Sequence, residues 1–164
     1  MSQEPGPRWH EKPALVWAWW ATRFVLGAIF LWAGIVKAGA SEGFAVALAP
    51  FTILPEPWLA PFAIGLAWTE IIAGIQILLP RVHIVGAGII FLLSIVFIGV
   101  LTWALSQGII VSCGCFGGDA PPSASAMLAA IIRDVAIAAA AAGVILFKMR
   151  RCSGQAIPHQ DPRA

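Results

Sequence analysis

Four long apolar runs, separated by short breaks, dominate the pattern of the chain. They cover residues 14–37, 58–79, 84–105 and 126–147. Each reaches the ~20 residues that a helix needs to cross a hydrocarbon core. None reads better as a buried helix of a soluble protein. Pro80 closes the second run, and Lys148-Met149-Arg150-Arg151 closes the fourth. The pattern therefore predicts an all-α protein, a polytopic membrane four-helix bundle. The first break, 39–57, is itself apolar in Phe44-Ala45-Val46-Ala47-Leu48 and Phe51-Thr52-Ile53-Leu54, and is cut by Pro50, Pro55 and Pro57. It predicts a short interfacial helix and a turn in the first outer loop. Residues 1–13 form an N-terminal arm, 14–147 the membrane domain, and 148–164 a basic tail expected to be disordered.

Composition leaves the bilayer as the only adequate solvent. The 164 residues are 60% hydrophobic and 11% charged, where a soluble domain carries about a quarter charged. A domain this small has too little interior to hide so much apolar surface. The first run is too long for the apolar region of a signal peptide, roughly 7–15 residues, and it contains Arg23, so it is read as a span. Trp17, Trp19, Trp20, Trp58 and Trp103 fall near the predicted span ends, where interfacial aromatics belong. Gly27, Ala33, Gly34, Gly65, Gly74, Gly86, Gly88 and the alanines 138–142 are small enough for helix backbones to approach closely. No basic patch interleaved with aromatics is present, which excludes nucleic acid as a partner.

Placement of the charges predicts orientation. Arg8, Lys12, Arg81, Lys148, Arg150, Arg151 and Arg163 share one side of a four-span protein, and Lys37 stands alone among the acids of the other. The positive-inside rule puts both termini in the cytoplasm. The loops 39–57 and 106–125 then face the periplasm of a bacterial inner membrane.

The second outer loop holds Cys113-Gly114-Cys115, whereas Cys152 lies across the bilayer. Three readings of the pair stand open: an inert disulfide or two buried thiols, a pair of soft-metal ligands, and a redox pair. Thiolates suit copper(I) or zinc, but no histidine lies near in sequence to complete a site, and no metal is assigned. Redox use has physical support. The loop faces an oxidising compartment, and Gly114 permits the tight turn that so close a pair needs. A strained, exposed disulfide exchanges readily, while closing so short a loop adds little stability. Gly114 and Gly117 leave room for a partner's backbone.

Arg23, Glu70, Arg133 and Asp134 fall inside spans, where an unpaired charge costs at least about 2.5–3.5 kcal/mol. Counting residues from the span ends puts Arg23 and Glu70 at similar depths and predicts an ion pair between them. Lys37, at the outer end of the first span, is expected to snorkel outward. Lys37, Arg133 and Asp134 fall on the cysteine side, where they either fix helix register or line a polar pocket under the loop. A cation there would favour a thiolate.

These residues resemble a known family. Arg23, Leu26-Gly27, Phe30, Ala33-Gly34 and Lys37 belong to the pattern, as do Phe44-Ala45, Leu54-Pro55, Glu70, Gly74, Cys113-Gly114-Cys115-Phe116-Gly117 and Arg133-Asp134. Over about residues 15–147 this pattern resembles the methylamine utilisation family MauE, within the broader DoxX-like membrane proteins. The resemblance implies a four-helix membrane protein tied to thiol redox, acting with a thioredoxin-like partner in maturing a disulfide-rich periplasmic client. Among DoxX-like proteins it implies a link to quinone, the one candidate cofactor. The long proline-rich arm, Trp19-Trp20 and the charged tail depart from the pattern and leave the client open. The expected function is a membrane thiol–disulfide redox protein with Cys113 and Cys115 at its centre. A non-redox assembly factor, a quinone-linked oxidoreductase subunit and a small transporter are the alternatives.

Overall fold

The computed structural model describes residues 13–40, 55–110 and 123–153, with side chains as far as 150. Among these residues there are four helices: α1 (Pro13–Gly39), α2 (Glu56–Leu78), α3 (His83–Ser106) and α4 (Ala124–Ser153). All four are long and apolar enough to cross a membrane. At 1.5 Å per residue they are about 35–45 Å long, against a hydrocarbon core of about 30 Å. The interfacial helix expected in the first outer loop and the Cys113–Cys115 pair both lie outside the described residues. Helix α4 continues to Ser153, so residues 148–153, read from sequence as the start of a disordered tail, are helical.

Local chemistry sets the helix ends. Helix α2 begins behind Pro55 with Pro57 in its first turn, where a missing N–H costs nothing. It ends at Leu79, held extended because Pro80 follows. Ser123 starts α4 by accepting the Ala126 N–H on its Oγ at 3.2 Å. Helix α3 stops at a Schellman motif. Gly108 takes φ +70°, its N–H reaches Leu105 O at 3.1 Å, and the Ile109 N–H reaches Ala104 O at 2.9 Å. Ile109 also packs on the apolar cluster containing Ala104. This cap turns the chain off the bundle immediately before the cysteine segment.

The helices run up, down, up and down, and small residues set how closely they pack. A Cβ on Gly27 would come within 2.8 Å of Leu78 and 3.1 Å of the Gly74 carbonyl. One on Gly34 would meet the Ala67 carbonyl at 2.9 Å, and one on Gly86 the Ala73 carbonyl at the same distance. Backbone thus lies on backbone along α1–α2 and α2–α3, as lipid-embedded helices require. Gly65 and Gly88 have nothing within 4 Å, so the six glycines picked from sequence divide into contact and outward positions. Leu26, Phe30, Ile77, Ile90, Ile137 and Val144 form the shared core. A second cluster, Leu101, Ala104, Met127 and Ala130, joins α3 to α4 toward the cysteine end. Large side chains such as Trp17, Phe24, Trp58 and Trp68 coat the outside, where lipid is the solvent. Trp19 departs from the expected interfacial role. It packs inward against His83 and Phe147, with ring centroids at 5.3 and 5.7 Å.

Candidate functional site

Two polar sites lie inside the bundle. The first is near its middle, on the side toward the cysteine segment. Lys37 Nζ lies 2.7 Å from both Glu70 Oε1 and Oε2, and the two side chains are 2% and 3% exposed. Phe97 presents its ring 5.6 Å from the ammonium. Opposite them, Arg133 donates from Nε and Nη2 to Asp134 Oδ1 at 3.0 and 2.9 Å. Both pairs line one small cavity of about 30 Å³, with Ser94 and Phe97 from α3 and Ile29, Phe30, Ala33 and Ile137 completing the walls. Glu70 lies 14 residues into α2 and Asp134 ten into α4. The cavity is therefore about 15–20 Å below their outer ends.

The partner of Glu70 differs from the sequence expectation. Arg23 does not reach it. The glycine contacts pair position 27 with 74 and 78, and position 34 with 67 and 71. That register sets Arg23 against residues 77–79, at least seven residues along α2 from Glu70, or about 10 Å. The same register stops α1 short of the start of α2, so Lys37 lies deep although it is only two residues from Gly39. It is 2% exposed and does not snorkel. Counting from span ends failed because the spans do not end level.

Arg23 forms the second site, toward the other end. Its Nε donates to Ile77 O at 2.8 Å, and Nη2 donates to Leu78 O at 3.1 Å and Leu79 O at 3.3 Å. These carbonyls close α2 and have no acceptor role within that helix, so a cation from α1 caps them and meets the negative end of the helix dipole. Trp19 and Trp20 hold the guanidinium 4.5 Å from each ring. His83 is buried beside Trp19, its Nδ1 2.8 Å from Pro80 O, and Nε2 has no partner among the described residues.

Of the site residues expected from sequence, Lys37, Glu70, Arg133 and Asp134 are thus brought together and Arg23 is apart. Cys113, Gly114, Cys115 and Gly117 lie outside the described residues. By connectivity their segment joins α3 to α4 at the end nearer the cavity. Ser94, Phe97 and His83 were missed. Ser94 was the legible one, a lone hydroxyl inside an apolar run, although it donates to Ile90 O in its own helix. Among the described residues no group of acids, cysteines and histidines could hold a metal.

The family model described as methylamine utilisation protein MauE matches residues 15–147, which takes in all four helices and both polar sites. The chain belongs to the MauE family. It is a multi-pass membrane member of that family, and the match covers the cysteine segment and every intramembrane charge described above. Comparison of this MauE-family chain with curated proteins and with solved structures gives no match.

Proposed function

We propose that this MauE-family chain is a bacterial inner-membrane thiol–disulfide redox protein that assists disulfide formation in a periplasmic client. Cys113 and Cys115 exchange disulfides with a thioredoxin-like protein or a disulfide-rich client of methylamine metabolism. The observation that carries the reading is the family match across the Cys-Gly-Cys segment, set in a bundle that buries paired charges below that segment's end. The Lys/Arg asymmetry supports cytoplasmic termini and a periplasmic cysteine loop.

Electrons pass to or from a membrane carrier such as quinone. The central cavity, at about 30 Å³, is far smaller than the roughly 150 Å³ of a cavity that takes up benzene, so it gives no support to a quinone site there. The carrier would meet the cysteines at the surface of the bundle. A transport path gains no support, since the buried charges are paired or capped and occupy two separate sites.

Thiol exchange runs through a mixed disulfide, so removing the resolving thiol traps it. Cys113→Ser and Cys115→Ser should each give a non-reducing gel shift with one periplasmic partner, more strongly from one variant. Cys152→Ser should leave the pattern unchanged. Full client maturation by a chain lacking both Cys113 and Cys115 would sink the redox reading and put a non-redox assembly factor in its place.

A further inference from the structure

Helices α1 and α4 are the least closely packed of the neighbouring pairs, and they part where α1 begins and α4 ends. The gap is a groove of about 250 Å³, walled by Leu15, Ala18 and Thr22 on α1 and by Ala140, Gly143 and Phe147 on α4. Trp19 crosses its floor, donating from Nε1 to Val144 O at 3.4 Å. Thr22 spends its hydroxyl proton on Ala18 O at 2.8 Å, so the walls are apolar in effect. Gly143 is not there for helix contact, since a Cβ on it would meet nothing within 4 Å. The mouth of the groove is cationic. Lys148 stands four residues beyond Val144 and continues the lining face of α4. It lies within electrostatic reach of His83, whose ring packs on Trp19. Arg150 follows on the same helix. The described residues at this end also include Arg23 and Arg81 but no carboxylate, and Arg23 is spent on the α2 carbonyls. The acids Glu56, Glu70 and Asp134 lie at the far end of α2 or at the central cavity.

We propose that this groove binds one anionic phospholipid of the leaflet on that side, with its phosphate against Lys148 and Arg150 and one acyl chain between α1 and α4. Charge complementarity selects the occupant, because basic pockets between membrane helices take anionic headgroups. A zwitterionic lipid brings its own cation to the rim, and a second copy of this chain brings the same cations. Depth agrees. The Trp19–Val144 bond sets the two antiparallel helices in register, which puts Lys148 opposite about residue 15, in the first turn of α1. Its long stem lets the ammonium reach headgroup level. From there to Thr22 the groove runs about 10 Å along α1, within the roughly 15 Å of hydrocarbon in one leaflet. An unfilled gap would forfeit dispersion contacts on both walls, and an acyl chain restores them. The inference stands independently of the redox reading and of which compartment the termini face.

The test is native mass spectrometry of the full chain in detergent micelles, titrated in turn with dioleoyl phosphatidylglycerol and dioleoyl phosphatidylcholine. One phosphatidylglycerol should bind each chain saturably, and more tightly than phosphatidylcholine. Lys148→Gln with Arg150→Gln should weaken that binding roughly 25-fold, at about fivefold per cation, and leave phosphatidylcholine unchanged. Gly143→Leu keeps the charges but fills the groove, and should abolish the one-to-one binding. Ala18→Leu fills it from α1 should the first variant not fold. Equal retention of the two lipids would overturn the proposal. So would phosphatidylglycerol binding that survives both leucine variants, because the basic end of α4 would then hold the headgroup without the groove. Displacement of the lipid by inorganic phosphate would reduce the site to an anion site, and chain dimers that the leucine variants abolish would give the groove to a second copy. Either result would also overturn it.

Discussion

The two polar sites hold a buried cation in opposite ways. At the central cavity Lys37 is neutralised by a carboxylate 2.7 Å away. At the other site Arg23 has no acid partner among the described residues. Three backbone carbonyls and two indole faces hold it. The first arrangement is charge against charge, and both members can be deleted together. The second uses carbonyls that no substitution removes, so the cation has no counterpart to delete. The chemistry of the side chains follows this division. Lysine's compact ammonium suits one carboxylate, whereas arginine's planar fork spans several carbonyls and stacks on rings.

The largest expected effect tests the ion pair. Glu70→Gln or Lys37→Met alone breaks a buried ion pair by removing one charged member and should lower unfolding free energy in mixed micelles by roughly 3–5 kcal/mol. The double variant should recover most of that loss. Losses that simply add would show that the pair is not the unit holding Lys37.

Next is the fork. Arg23→Lys keeps the charge but reaches fewer carbonyls, and should cost roughly 1.5–3 kcal/mol, the range for hydrogen bonds to charged groups. Combined with Glu70→Gln it should be additive, because the two sites share no partner. A coupling between positions 23 and 70 would restore the pairing expected from sequence and break the contrast.

The smallest effect concerns the rings. Trp20→Leu removes one face from the guanidinium and should cost about 0.5–1 kcal/mol. Measured together with Arg23→Lys, its cost should shrink. An unchanged cost would mean that Trp20 acts through lipid contact alone.

The architecture was legible because each span announces itself by length and apolarity, and seven of the eight predicted boundaries fall within two residues of the helix ends, the exception being α4, which runs on from the predicted 147 to Ser153. Which glycines touch was not legible, since Gly27 and Gly65 look alike in a sequence and differ only in what stands opposite. The charge pairing went wrong for a related reason. Depth was counted from the end of each run as though all ends lay in one plane, but backbone contact at Gly27, Gly34 and Gly74 slides α2 past the end of α1. That slide moves Lys37 inward to Glu70 and Arg23 onto residues 77–79. The inventory of intramembrane charges was therefore readable, and their partners depended on a register that only packing decides.

Arg23 also bears on how the chain enters the membrane. Both cations of α1 find their partners in α2, Lys37 33 residues downstream and Arg23 at least 54. At typical synthesis rates the second segment emerges roughly 3–10 seconds after the first. Until then α1 carries two uncompensated charges, which hydrocarbon resists. The first hairpin is thus expected to leave the insertion machinery as a pair, with α1 waiting at the protein-lined exit for α2, and a nascent chain cut short before residue 70 should be recovered largely uninserted.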